Sequence, residues 1–243
     1  MSWKLQKFNF MSENFHRPKI NLTRTLPVPN AYTLALDGEY SQVAFNEERA
    51  PLNKGKWRSS VFHETTETRP MDLEIGTGAG HHFAHYAKTH PERLVVGLEL
   101  KYKPLIQSIR RATVGGSKNA AIARYHAFNI DELFAEGELN NIFIHFPDPW
   151  TSPKKPKNRV VNTRILGELY KLQRPGSFID FKTDSRVYFL WALEEIQKSQ
   201  YKIVHQTLNL HQSEFKEQNY MTGFEKIFVK QGIEINYIRL LRE

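Results

Sequence analysis

The sequence predicts an α/β fold with a doubly wound, mostly parallel sheet. The first observation is a series of apolar runs, each long enough for one buried strand, of which residues 94–99 are the clearest. The second is that segments with helical spacing separate these runs, as in successive βα units. The third is a glycine-rich turn at residues 76–80, directly after the first run. Such units are joined by right-handed crossovers, so their strands lie parallel in one sheet.

The elements follow in order from residue 71. Strands are predicted at 71–75, 94–99, 120–127, 141–146 and 177–183, with a helix directly after the glycine turn and further helices at 101–113, 130–136, 162–172 and 185–198. In the helix at 101–113, Leu105, Ile106 and Ile109 share one face. Pro175 and Gly176 end the helix at 162–172. The last strands are predicted at 201–208, 224–229 and 233–240.

Length and composition bound the domain organisation. A chain of 243 residues with 40% hydrophobic and 25% charged residues suits one globular α/β domain with an extension. Residues 1–70 show no sustained periodicity and are rich in Asn, Pro, Arg and aromatic residues. We therefore expect a partly ordered N-terminal arm at residues 1–70 and the main domain at residues 71–243.

The composition also narrows the classes of function. The chain contains no cysteine, which excludes disulfides, a cysteine nucleophile and a thiolate metal site, and fits a reducing cytoplasm. No run is long and apolar enough to span a membrane, so no membrane partner is expected. A net charge of +8 indicates a polyanionic partner, although a solvated basic surface would give the same value.

The spacing of the glycines indicates which class of ligand the turn binds. Gly76, Gly78 and Gly80 form G-x-G-x-G, whereas a dinucleotide fingerprint would need its third glycine at position 81, which is His81. With the carboxylate of Glu74 ahead of it, this form is typical of enzymes that bind S-adenosylmethionine (SAM). A tight turn without a ligand is the alternative.

Polar residues end the other predicted parallel strands. Because ligands of such sheets bind beyond the carboxyl ends of the strands, Glu99, Asn129, Asp148 and Asp184 should share one rim with the glycine turn. Glu99 suits the two hydroxyls of a ribose. Asn129 suits the edge of an adenine, and capping of the following helix is an equally good explanation.

Asp148 lies in Phe146-Pro147-Asp148-Pro149-Trp150. The two prolines restrict the backbone around this acid, and the neighbouring aromatic ring favours binding of a planar base. Residues 151–164 then carry five basic residues and no acid, which suits a grip on a phosphate backbone, with a solvated loop as the alternative.

Histidines follow the glycine turn at positions 81, 82, 85 and 90. His81 and His85 have the spacing of a metal pair, but no third ligand is evident. We therefore expect no metal site and place these histidines on a helix surface or at its cap.

Taken together, the motifs resemble those of the bacterial single-subunit tRNA (guanine-N7)-methyltransferases. The resemblance covers roughly residues 70–240 and rests on the glycine turn, Glu99, the block around Asp148 with the lysines after it, Thr183-Asp184 and residues 222–225. It implies a class I SAM-dependent methyltransferase fold, which is Rossmann-like, with SAM as cofactor and tRNA as partner. The SAM contacts that it implies are Glu74, Gly76, Gly78, Glu99, Asn129 and Asp148.

The resemblance also implies the substrate side of the site. Contacts to tRNA or guanine are expected from Lys154, Asp184, Thr222, Gly223, Phe224 and Glu225, with Asp148 as the catalytic residue. The chain departs from the family where Thr151 and Ser152 precede the lysines, so Lys155 is an alternative to Lys154. The position of Asn129 is often Asp in the family.

The implied reaction transfers a methyl group from SAM to N7 of a guanine in tRNA, by a cytoplasmic monomer or homodimer. Two other functions stay open on the residues alone. One is a SAM-dependent methyltransferase for another RNA, a small molecule or a protein, and the other is a non-catalytic RNA-binding protein of the same fold. Intact Glu74, Glu99 and Asp148 argue against the second.

Overall fold

An eight-stranded sheet forms the centre of the computed structural model, which describes residues 17–66, 68–152 and 156–243. The strand order is β1-β4-β3-β2-β5-β6-β8-β7, and β8 is antiparallel to both of its neighbours while the other pairs are parallel. The chain runs outward from β2 through β3 to β4, and then returns to β5 on the other side of β2. This topology confirms the doubly wound, mostly parallel sheet. The strands are β1 (Ala44–Phe45), β2 (Met71–Ile75), β3 (Leu94–Leu98), β4 (Ala120–Ala123), β5 (Ile142–His145), β6 (Phe178–Thr183), β7 (Lys202–Thr207) and β8 (Asn236–Leu241).

Six α-helices in the described part of the chain connect and cover the strands. Their bounds are α1 (Ala31–Asp37), α2 (His81–Thr89), α3 (Tyr102–Val114), α4 (Thr163–Leu172), α5 (Arg186–Gln197) and α6 (Gly223–Lys230). Side-chain caps start two of the crossover helices, because Asn162 accepts a hydrogen bond at the start of α4 and Ser185 does so at the start of α5. The longest helix in the described ranges has 13 residues, and none of the helices there is long and apolar enough to cross a membrane.

Apolar side chains fill both faces of the sheet. Along β3, Leu94, Val96 and Leu98 pack on one face and Val95 packs on the other, because successive residues of a strand alternate. The first face is covered by α4 and α5, and the second by α2 and α3. All residues of β2 and β3 are buried. The sheet is therefore covered on both faces at its centre, as parallel strands require.

Part of the segment before residue 71 packs into the same core. Strand β1 pairs in parallel with β4 at the sheet edge. The fully buried ring of Trp57 lies 5.4 Å from that of Phe45 and 5.6 Å from that of Phe134, between ring centroids, and its Nε1 donates a hydrogen bond to the carbonyl of Leu133 at 2.8 Å. Residues 44–61 thus extend the sheet and its core, whereas the division of the chain at residue 70 stays a prediction.

One predicted element has the wrong type. Residues 224–229, expected as a strand, lie in α6. Thr222 and Glu225 form a reciprocal capping box that satisfies the first amides of this helix, and Phe224, Ile227 and Phe228 follow at helical spacing. The short helix expected at 130–136 is instead a 3-10 helix at Ala127–Glu132, and the third predicted strand ends earlier, at Ala123.

Candidate active site

The candidate site lies where the strand order reverses, between β2 and β5. Open α/β sheets bind ligands at this point, beyond the carboxyl ends of the strands. Glu74 is the penultimate residue of β2, Glu99 follows β3, Asp148 comes three residues after β5, and Asp184 follows β6. Because these strands are parallel, the structure brings the predicted acids to one edge of the sheet.

The glycine turn has one side open and the other packed. Gly76, Gly78 and Gly80 all have positive φ, at 78°, 54° and 77°. A Cβ at Gly76 or Gly78 would meet no atom of the described residues within 4 Å, whereas a Cβ at Gly80 would lie 2.4 Å from the Cα of Ser108 in α3. The first two glycines therefore leave room for a ligand, and the third allows α3 to pack closely.

Glu99 is tied to this turn. Its Oε2 accepts a hydrogen bond from the backbone N–H of Gly78 at 3.0 Å, and its Oε1 accepts one from Lys101 at 2.9 Å. Burial raises the pKa of Glu99, and these backbone hydrogen bonds oppose that rise. Each carboxylate oxygen keeps a further lone pair. Glu99 can therefore accept hydrogen bonds from two neighbouring hydroxyls.

Asn129 has an unused acceptor in a buried place. Its Nδ2 donates to the carbonyl of Pro18 at 3.1 Å, while its Oδ1 is buried with no hydrogen-bond partner among the described residues. Such an atom costs about 1–3 kcal/mol, so a donor from a ligand would be favourable. Asn129 does not cap a helix here. The cap of the 3-10 helix at Ala127–Glu132 is His126, whose Nδ1 accepts a hydrogen bond from Phe128 N–H.

Sequence reasoning missed a cluster of two buried residues, Glu74 and His82, and the half-buried His145. His82 Nδ1 lies 2.8 Å from Glu74 Oε2, and the ring centroids of His82 and His145 are 4.4 Å apart. Burial, together with nearby Lys182 and His82, lowers the pKa of His145 well below its ordinary value, so this imidazole is neutral near pH 7. The ligand atoms of the three residues lie within 4.8 Å of one another, and the Glu74–His82 contact has the length of a hydrogen bond. The position of His145 at the end of β5 was the available signal.

Asp148 is exposed on a strained loop. Phe146 and Trp150, which flank it, both have positive φ, at 52° and 43°. Non-glycine residues in this region cost about 1–3 kcal/mol each, and the two prolines beside Asp148 have no backbone donor. Strain of this kind is typical of segments that hold a functional side chain in one place.

The start of α6 lies beside the glycine turn. A Cβ on Gly223 would lie 3.6 Å from the ring of His81, the first residue of α2. Phe224 is 62% exposed, so its ring is available to a substrate base. Thr222 is buried, and its side chain accepts a hydrogen bond from Glu225 N–H at 3.2 Å.

Glu225 points into the protein. Its carboxylate is fully buried, with Oε2 accepting from Lys182 Nζ at 2.9 Å and Oε1 from Asn219 Nδ2 at 2.6 Å. Burial lowers the pKa of Lys182, and the carboxylate of Glu225 opposes this fall. Substrate binding by Glu225 stays a prediction, and the contacts seen here serve to hold α6 against β6.

Of the remaining predicted substrate residues, the structure describes Asp184 but not Lys154. Asp184 is partly exposed directly after β6. Lys154 and its alternative Lys155 lie outside the described residues. The assignments of Asp184 and Lys154 therefore stay predictions.

A polar cavity of about 370 Å³ adjoins the site. It lies between α2 and one face of the sheet, formed by residues of β5, β6 and β8, and its volume falls in the range of small-molecule sites. His145 and Lys182 line this cavity, as do Asp180 and Arg239, which form a bidentate ion pair.

Sequence comparisons agree with this geometry. A family described as "Putative methyltransferase" matches residues 68–237. The chain is 66% identical over 207 residues to the tRNA (guanine-N(7)-)-methyltransferase of Bdellovibrio bacteriovorus, covering 85% of this chain and 99% of that protein. A protein of the same name from Clostridium acetobutylicum is 32% identical over 185 residues, covering 76% of this chain and 85% of that protein.

Solved structures show the same fold at low identity. The 16S rRNA methyltransferase KamB has a TM-score of 0.54 at 16% identity, covering 73% of this chain and 90% of that one. The antibiotic-resistance methyltransferase Kmr has a TM-score of 0.53 at 14% identity, with 76% and 92% covered. Both are consistent with a class I SAM-dependent methyltransferase fold.

Proposed function

Because the chain belongs to the tRNA (guanine-N7)-methyltransferase family, we propose that it transfers the methyl group of SAM to N7 of a guanine in tRNA. The observation that supports this most directly is the exposed Asp148, held on a strained loop at the switch point of the sheet. The glycine turn follows β2, and Asp148 follows the neighbouring strand β5. Cofactor and base can therefore be held side by side.

The residues on the β2 and β3 side fit SAM. Gly76 and Gly78 leave the turn open, Glu99 can accept the hydroxyls of a ribose, and Asn129 Oδ1 can accept an amino hydrogen of an adenine. When bound, SAM supplies a methyl group on a positively charged sulfur. The chain itself contributes binding and orientation of that group.

The residues on the β5 and β6 side fit guanine. N7 of guanine carries an in-plane lone pair, so no base has to remove a proton from it. Asp148 can accept hydrogen bonds from the N1–H and the amino group of the base, and its charge stabilises the positive charge that the purine gains. Positioning of reactants can lower a barrier by about 7–11 kcal/mol, so orientation is the main task of the site. Phe224 offers a ring for stacking.

The basic charge suits the phosphates of tRNA. The chain carries a net charge of +8, and the exposed Lys157 lies just beyond the Asp148 loop. This chemistry needs no metal, because the nucleophile is already unprotonated and the methyl donor is already activated. A cytoplasmic location and a monomeric or homodimeric state belong to the same proposal.

The substrate class is tested with labelled SAM and four acceptors: bulk tRNA, ribosomal RNA, a small-molecule mixture and protein. We expect label in tRNA, with a rate that falls steeply as salt rises because counterions are released on binding. Labelling of a small molecule or protein, insensitive to salt, would favour a different methyltransferase. SAM binding by calorimetry without transfer to any acceptor would indicate a non-catalytic RNA-binding protein.

A further inference from the structure

The loop that carries Asp148 has a strained backbone, and two of its residues lack a backbone donor. Two prolines remove backbone donors on either side of the acid, and Phe146 and Trp150 adopt positive φ. At the β5 end the loop is tied by a backbone hydrogen bond, from Phe146 N–H to the carbonyl of Lys182 at 2.8 Å. A side-chain hydrogen bond tethers the other end of the loop, at Pro149.

Arg159 supplies that tether. Its Nε donates a hydrogen bond at 2.8 Å to the carbonyl of Pro149, which belongs to the peptide that leads into Trp150. The guanidinium carbon lies 5.1 Å from the ring centroid of Tyr188 and 4.8 Å from that of Trp191. The Arg159 residue is only 4% exposed. A planar guanidinium can stack on rings and donate in plane at once, which a lysine cannot do.

The backbone of Arg159 is itself anchored. Its N–H donates to the carbonyl of Pro156 at 2.9 Å, and its carbonyl accepts from Asn162 Nδ2 at 2.6 Å. Asn162 is also the cap of α4. The hydrogen bond to Pro149 therefore links the Asp148 loop to the rigid start of a helix.

We propose that Arg159 is a positioning residue that holds Asp148 in its substrate-facing place. The proposal rests on the proposed function, since it assigns Arg159 to the same reaction. It also separates Arg159 from the basic run in which it lies, because a buried guanidinium packed against two rings is not available to a phosphate backbone.

A double-mutant cycle tests this role. We expect Arg159→Gln to lower the single-turnover rate of methyl transfer about 10- to 100-fold at saturating SAM and tRNA, because small displacements of a positioned group have effects of that size. The KM for tRNA should stay within about threefold, since no phosphate contact is lost. In an Asp148→Ala background the same change should cost less than about threefold, because residues that act through one another are not additive.

Controls separate folding, positioning and function. Arg159→Lys keeps the positive charge and a donor, and it should retain more activity than Arg159→Gln. If Arg159→Gln does not fold, Arg159→Lys takes its place in the cycle. Arg110→Gln, on the exposed side of α3, removes the same charge and should leave the rate unchanged. Equal effects of Arg159→Gln with and without Asp148, or a raised KM at unchanged kcat, would overturn the inference. A full rate for Asp148→Ala alone would instead contradict the proposed function.

Discussion

Gly80 gives a test in which the structure predicts a magnitude. An alanine there would keep φ at +77°, which costs about 1 kcal/mol relative to glycine. Its Cβ would also lie 2.4 Å from the Cα and 2.7 Å from the Oγ of Ser108. The Cα of Ser108 belongs to the backbone of α3, so it cannot move without shifting that helix. Overpacking of that kind costs about 1–3 kcal/mol. We therefore expect Gly80→Ala to lower the free energy of unfolding by about 2–4 kcal/mol.

Urea unfolding followed by circular dichroism measures this loss. Gly116→Ala is the matched control, because Gly116 has φ of +84° but no described atom within 4 Å of the added Cβ, so only about 1 kcal/mol should be lost. Gly78→Ala should resemble Gly116→Ala in stability and yet weaken SAM binding, since Gly78 is predicted to contact SAM. Equal losses for Gly80→Ala and Gly116→Ala would refute the close approach of α3 as the reason for glycine at position 80.

Three further predictions concern single side chains. Glu99→Gln should weaken SAM binding by about tenfold or more in calorimetry, because charge-assisted hydrogen bonds contribute about 1.5–3 kcal/mol; an unchanged Kd would remove Glu99 from the cofactor site. Glu225→Gln should lower the free energy of urea unfolding by about 3 kcal/mol, because it leaves Lys182 charged in a buried place, whereas Glu243→Gln in an exposed pair should not lower it. The stability of the protein should fall as pH drops below about 6.5, because His145 has a lowered pKa when folded and takes up a proton on unfolding. His145→Asn should make that slope shallower by up to about 1.4 kcal/mol per pH unit, and an identical slope between pH 7 and 5 would contradict the burial of a neutral imidazole.

The central strands could be predicted because their signal is local. A strand buried on both faces must be apolar throughout, as β2 and β3 are, and the residue that ends it is then exposed to the ligand edge. The position of Glu99 at this edge could be predicted from this reasoning alone. The topology then placed it beside Gly78, where a hydrogen bond joins the two.

The apolar residues of α6 suit a short strand as well as a helix, but the capping box of Thr222 and Glu225 is a local signal that the sequence already contains. Features set by distant contacts, in contrast, could not be predicted in this way. The burial of Glu225 depends on Lys182, which lies 43 positions earlier in the chain. The core position of Trp57 depends in the same way on Phe134. Pattern alone gives no sign of such partners.

The Asp148 variants measured on tRNA test the central claim most directly. The enzyme and its Asp148→Ala and Asp148→Asn variants would be compared in single turnover, with N7-methylguanosine in tRNA located by chemical cleavage at the modified base. We predict N7-methylguanosine with the unaltered enzyme and a rate at least about tenfold lower in both variants at saturating SAM. Methylation at another atom, or a rate reduced less than about tenfold in both variants, would contradict the account.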